Sequence, residues 1–363
     1  MGLGAWHLSR PEFDTRPNLS LSSAVSSFAT HAQQRQEARC MERSPCPCAR
    51  GVVVPAARGD LAAVGTGTQA HPIKQQQAVA AKSKDKQDDG LAEVLRRAAM
   101  EDNTIIMTFT NEAFAAPGSL MDLFLESFRL GVRTEPLLSH LVIVAADARA
   151  FERCRQVHPH CYALAMGATN FTAEQRFMAK DYLDMMWRRN RFQARVLGLG
   201  YSFVFTDVDI VWFRNPLLRI PVAVDFAMSC DMFYGDNPYD LNKRANGGFV
   251  YARASARTVA FYDAWYEARK AHPGKNEQDL FDKLKRELAA AHGVAAQFVD
   301  TDYLGGFCER RKRRDFNKLC TFHGNCVVGL KTKLERLRGV LREWKEFKDK
   351  AGKPGSNVTA LTD

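Results

Sequence analysis

Residues 201–213 read YSFVFTDVDIVWF, from Tyr201 to Phe213. The aromatic and β-branched run Tyr201–Thr206 suits a strand buried on both faces. It ends in two aspartates separated by one residue, Asp207 and Asp209. In extended chain, positions i and i+2 point to the same side, so both carboxylates can face one ligand. Burying them without a partner is costly. Together they satisfy a hard divalent cation, Mg²⁺ or Mn²⁺, which in turn neutralises a diphosphate. Asp-x-Asp also serves as a plain turn cap; its position behind a buried strand and before the Trp212–Pro216 turn favours the metal.

Outward from this stretch, apolar runs alternate with helix-length amphipathic segments. Thr104–Thr110 (TIIMTFT) and Leu141–Ala146 (LVIVAA) read as two earlier strands. Asp225–Ser229, Gly248–Ala252 and the region near Gln297–Asp300 read as later ones. Helices are expected at Ser119–Leu130, closed by Gly131, at Glu174–Leu199, at about Ser255–Lys270 and at Asn276–His292. This alternation predicts a three-layer α/β domain with a mixed, mainly parallel sheet between helices. Such sheets bind ligands at the carboxyl ends of their strands, just after the apolar runs.

The whole chain has 363 residues and a formal net charge of +10, with 46% hydrophobic and 25% charged residues. That composition is globular and excludes a collagen, a small disulfide knot and disorder throughout. A pI near 9.2 permits nucleic-acid or membrane-surface contact and equally suits anionic nucleotide substrates. No run reaches about 18 consecutive apolar residues. Residues 1–90 are small, polar or Pro-broken without sustained periodicity, and end in the charge cluster KSKDKQDD at Lys82–Asp89. They are expected to be disordered and of low complexity, with a targeting peptide as the alternative. The folded domain is expected over 91–353, and 354–363 as a flexible tail.

Three ordered motifs, KDYLDMMWRR from Lys180, LGY from Leu199 and FTDVDIVWFRNP from Phe205 to Pro216, resemble plant nucleotide-diphospho-sugar transferases. The resemblance runs from about Thr104 to Leu337 and is strongest to the retaining glycosyltransferases of family 77, which include cell-wall arabinosyl- and xylosyltransferases. It implies a GT-A fold, a single Rossmann-like nucleotide-sugar-binding domain. It also implies that Asp209 ligates a metal directly, that Asp207 contacts the nucleotide ribose or the metal, and that His323, in FHGNC at Phe322–Cys326, is the third ligand.

The remaining site candidates follow the strand ends. Thr110-Asn111-Glu112 lies after the first strand, where such enzymes hold nucleobase and ribose; a capped turn is the plainer reading. Lys180 and Arg188 lie about two helical turns apart, and a cation there suits phosphate oxygens. In Asn246-Gly247-Gly248 the glycines leave room for a sugar to approach the backbone, and Asn246 is able to bind a hydroxyl. Asp231 follows the fourth strand and is a candidate for donor or acceptor sugar. Asn276-Glu277-Gln278-Asp279 opens a helix, where acids also complement the dipole; the resemblance places Gln278 or Asp279 near the anomeric carbon.

The function implied is metal-dependent transfer, with Mn²⁺ or Mg²⁺, of an arabinose-, xylose- or galactose-class sugar from a UDP-sugar donor. The acceptor is a cell-wall polysaccharide or glycoprotein, and anomeric configuration is retained. The resemblance alone implies residence in the Golgi lumen or membrane and complexes with other Golgi transferases; no anchor is visible in the sequence. The alternative is a catalytically silent protein of the same fold that scaffolds other transferases. A nucleic-acid binder is not expected, for lack of aromatics interleaved in a basic stripe. In an oxidising lumen Cys154 with Cys161, and two of Cys308, Cys320 and Cys326, can form disulfides. Asn170 and Asn357 open glycosylation sequons. Lys331–Lys350 has the spacing of an amphipathic basic helix. The basic run Arg310–Arg314 suits a diphosphate, an acidic wall polymer or plain solvent.

Overall fold

The computed structural model describes residues 89–164, 180–311 and 313–351. The N-terminal stretch up to residue 88, the tail from 354, both sequons and the first residues of the helix expected from Glu174 lie outside the described residues. Residues 89–98 are helical (α1), so the last two residues of the stretch expected to be disordered, 89 and 90, are helical.

The remaining elements follow in chain order. They are β1 (Thr104–Thr110), α2 (Glu112–Ala115), α3 (Leu120–Leu130), β2 (Leu141–Ala145), α4 (Ala148–Val157), β3 (Cys161–Ala163), α5 (Lys180–Gly198) and β4 (Ser202–Thr206). After these come β5 (Ile210–Trp212), β6 (Phe226–Cys230), β7 (Ala245–Ala252), α6 (Ala256–Ala268) and α7 (Glu277–His292). The last are β8 (Ala296–Phe298), β9 (Leu304–Gly306), β10 (Thr321–His323) and α8 (Leu330–Ala351).

Seven strands form the main sheet in the order β3-β2-β1-β4-β7-β6-β8. β7 runs antiparallel to both of its neighbours, and the other pairs are parallel. This is the mixed, mainly parallel sheet between helices that the alternation of strands and helices predicted. The side-chain period of two divides its strands between two cores. Ile105, Met107, Phe203 and Phe205 join the core with Phe192, Phe261, Trp265 and Phe281 from α5, α6 and α7. Ile106 and Val204 face the other core, with Phe124 and Phe128 of α3 and Leu337, Leu341 and Trp344 of α8. The apolar stripe expected in the C-terminal helix is thus packed on the domain: Trp344 is fully buried and donates through Nε1 to the Leu130 carbonyl, 3.0 Å.

A second sheet, β5-β10-β9, was not legible in the sequence. Each of its strands has three residues, too short for any periodicity to show. The strand expected to start at Gly248 starts at Ala245, so Asn246-Gly247-Gly248 lies inside β7, where the pairing with β6 shifts register beside Ser229. Disulfides join Cys154 to Cys161 and Cys308 to Cys326. Cys320 and Cys230 are buried free thiols, and burial raises Cys230 to about 12, so it stays protonated. Among the described residues, no helix is long and apolar enough to cross a membrane.

Candidate active site

The chain leaves the main sheet at Thr206 and enters the small one at Ile210, so Asp207-Val208-Asp209 is the bend between the two. The bend is fixed by backbone hydrogen bonds from Asp207 N–H to the Gly248 carbonyl, 2.7 Å, and from Ile210 N–H to the Asp207 carbonyl, 3.1 Å. The two carboxylates therefore do not share one face of an extended strand, as the i, i+2 argument supposed. A turn makes them converge. The antiparallel register of β10 on β5 sets His323 opposite Ile210, beside them. His323 Nε2 lies 3.2 Å from Asp209 Oδ1 and 3.7 Å from Asp207 Oδ2. One ligand atom from each of the three residues falls within 4.8 Å of the others.

Two cations brace this cluster, and neither was singled out in the sequence. Lys333, in the first turn of α8, places Nζ 2.5 Å from Asp209 Oδ2. Arg189 of α5 is buried over the Phe205 ring, with its guanidinium carbon 4.6 Å from the centroid. It donates from Nη1 to Asp207, 2.9 Å, and from Nη2 to Glu277, 2.5 Å. Burial pushes the Asp209 carboxyl up, but the charge and hydrogen bonds of His323 and Lys333 overcome this and hold it far below the usual carboxylate range. Asp207 moves the other way: burial and the Asp209 charge raise it against the pull of Arg189. The 30% exposure of its side chain, open to the cleft, moderates that rise.

The cluster sits in the floor of a cavity of about 810 Å³, within the usual range for small-molecule sites. Thr110, Asn111, Asn246, Gly247 and Gln278 line it together with Asp207, Asp209 and His323. Asn111 caps α2 by accepting from Phe114 N–H, 3.0 Å. Gln278 Oε1 accepts from Gly247 N–H, 2.7 Å, which ties α7 to β7 across the wall. Glu277 Oε2 also lines this wall, buried without a hydrogen-bond partner among the described residues. It is an acceptor waiting for a hydroxyl or amide donor.

Other candidates lie elsewhere. Lys180 and Arg188 are exposed on α5 and do not line the cleft; the basic residue the helix contributes is Arg189. Glu112 turns outward to Arg149, 2.6 Å. Asp279 does not line the cleft, and its backbone N–H donates to the capping side chain of Asn276, 2.7 Å. Asp231 stands behind the wall, where its Oδ1 accepts from Asn246 Nδ2, 2.7 Å, and Asn325 Nδ2, 3.1 Å. It positions two lining amides. Gly248, by contrast, lines the cleft and also makes room for His323: a Cβ there would lie 2.3 Å from His323 Cε1 and 2.8 Å from Nδ1.

Comparison with known proteins fits this geometry. The model of the nucleotide-diphospho-sugar transferase family matches residues 136–337. An uncharacterised Arabidopsis thaliana protein is 42% identical over 259 residues, 71% of this chain and 68% of its own. The A. thaliana beta-arabinofuranosyltransferase RAY1 is 28% identical over 185 residues, covering 44% of this chain and 34% of that protein. The A. thaliana UDP-D-xylose:L-fucose alpha-1,3-D-xylosyltransferase MGP4 is 20% identical over 233 residues, 59% of this chain and 65% of that one. A match across more than half of its length, centred on the strands and loops that build the cleft, makes this chain a member of the nucleotide-diphospho-sugar transferase family.

Proposed function

We propose that this transferase moves an arabinose-, xylose- or galactose-class sugar from a UDP-sugar to a cell-wall polysaccharide or glycoprotein, with retained anomeric configuration, in the Golgi lumen. The observation that carries the reading is the convergence of Asp207, Asp209 and His323 in the cleft floor. Two carboxylates and one imidazole, with Asp209 Oδ1 turned to His323 and Oδ2 to Lys333, form a donor set that suits Mn²⁺ or Mg²⁺. Asp207, Asp209 and His323 would hold the ion. When bound, it neutralises charge developing on the diphosphate leaving group.

The remaining roles belong to the chain itself. Arg189 fixes the Asp207 carboxylate, so that part of the site is organised before substrate arrives. Lys333 adds positive charge at the same floor, where the diphosphate leaves. Glu277 Oε2 is placed to accept a sugar hydroxyl, and the Asn246 and Gln278 amides offer further polar contacts beside it. Gln278, held by Gly247, is the side chain proposed to face the anomeric centre. Thr110 and Asn111 form the nucleoside end of the cleft, beyond the carboxyl end of β1.

The full chain, expressed in a secretory host, tests this with a panel of UDP-sugars and Mn²⁺, following calorimetric binding and UDP release together. Metal-dependent binding and turnover of one donor, both abolished in Asp209→Ala, is the expected result. No metal-dependent binding by a demonstrably folded chain would sink the proposal and favour a scaffolding role.

A further inference from the structure

Outside the cleft, one face of the domain combines exposed arginines with an exposed aromatic ring, and the reaction just proposed leaves it unused. Tyr234, on the loop after β6, is 42% exposed. The Arg311 guanidinium lies 5.3 Å from its ring centroid. On α8, Arg336 follows the cleft-lining Lys333 by three residues and so shares its side of the helix; its guanidinium lies 5.8 Å from the Phe307 ring. Arg310 and Arg313 are exposed on the intervening loop. The carboxylates of this face are largely engaged: Glu309 by Arg311, Glu343 by Arg314 and Asp302 by Lys318. Among the described residues, Arg310, Arg313 and Arg336 have no such counter-charge.

This face is tied to the cleft by covalent and hydrogen bonds. Cys308 is disulfide-bonded to the cleft-lining Cys326. Its backbone N–H donates to Asn325 Oδ1, 3.2 Å, and Asn325 donates to Asp231, three residues before Tyr234. The Phe307 N–H donates to the His323 carbonyl, 3.3 Å. Cations and rings thus continue outward from Asn325 and Cys326, which line the cleft.

We infer that this face, built from Tyr234, Arg310, Arg311, Arg313 and Arg336, binds the acceptor, and that the acceptor is a glycan carrying uronate carboxylates. The inference rests on the transferase reading above. An acceptor hydroxyl has to enter the cleft beside the donor sugar, so the rest of the glycan must lie along a wall outside it. A pyranose ring presents an apolar C–H face to Tyr234. Guanidinium groups take carboxylates in bidentate fashion, which neutral hydroxyls do not offer.

The test uses the full chain and an oligogalacturonate as probe, against a neutral galactan oligosaccharide of the same length. Binding is read by calorimetry at two salt concentrations, with UDP binding in Mn²⁺ measured alongside. The acidic probe is expected to bind more tightly than the neutral one, and more weakly at higher salt. Its affinity should fall roughly tenfold in Arg310→Gln/Arg313→Gln/Arg336→Gln and fall again in Tyr234→Ala, with UDP binding unchanged in both. A control, Arg96→Gln/Arg149→Gln/Lys283→Gln, removes the same charge elsewhere. Equal binding of the two glycans, or an equal loss in the control, would overturn the inference while UDP binding stays intact. Absence of UDP binding would instead overturn the donor reading, and with it the acceptor role of this face.

Discussion

Gly248 shows how one missing carbon sets the geometry of the Asp207, Asp209 and His323 cluster. Its place in β7 leaves no room for a Cβ, because the His323 ring already occupies that space. Gly248→Ala is therefore expected to displace the imidazole and lower turnover by roughly 10²-fold, the scale of a 1 Å misplacement, while the chain stays folded. Wild-type turnover in that variant would show that His323 is not needed where it stands. Arg189 acts by charge instead of shape. It is the counter-ion shared by Glu277 and Asp207, and the Arg189 and Glu277 side chains are 10% and 8% exposed. Removing one partner of a buried pair leaves an uncompensated charge, so Arg189→Met is expected to destabilise the fold by about 3–5 kcal/mol. An unchanged urea midpoint would contradict this. Asp207 and Asp209 were legible as a pair because an apolar run stops at them. Arg189 was not, since Arg188 beside it is chemically identical and only the phase of α5 decides which one points inward.

Between elements, the join of β2 to α4 carries a titratable group at its centre. His158 caps α4 through its backbone N–H, and its ring Nε2 donates to the Leu141 carbonyl, 2.6 Å. Burial lowers its affinity for a proton, and the neighbouring His160 and Arg129 lower it further, against the pull of the Leu141 hydrogen bond. The unfolded chain therefore takes up a proton below about pH 6.5 that the folded chain resists. Stability should fall as pH drops through that value and be unaffected by this group above it. Urea midpoints at neutral and mildly acid pH, in wild type and His158→Gln, check this; an equal acid loss in the two would exclude His158 as its source. The long elements at this scale, β1, β4, α3 and α7, announce themselves by period and caps. Asn276 and Gly293 close α7 at the expected ends. The three-residue strands of the small sheet do not, because their pairing depends on partners up to about a hundred residues away, as with β5 and β10.

For the molecule as a whole, the site depends on a part of the chain far from Asp207 and Asp209. The segment from β9 to α8 supplies His323, Asn325 and Lys333 and is pinned by the Cys308–Cys326 disulfide across 18 residues. A bridge closing a loop of that size contributes about 3 kcal/mol. Cys308→Ser/Cys326→Ser should lose about that much in denaturant titration and bind donor more weakly, since Cys326 lines the cleft. Stability and donor affinity both unchanged would show that packing alone holds the segment. By itself the sequence determined the layered α/β architecture and the acidic end of the third long strand, because buried strands, helix caps and Asp-x-Asp are local patterns; the nucleotide-sugar chemistry came from the resemblance that its ordered motifs carry. The tertiary structure decided which cations face the carboxylates, that Gly248 makes room for a histidine, that Asp231 holds amides from behind, and which two of Cys308, Cys320 and Cys326 pair. These depend on helix phase, strand register and close approach between distant segments, and no local pattern encodes them.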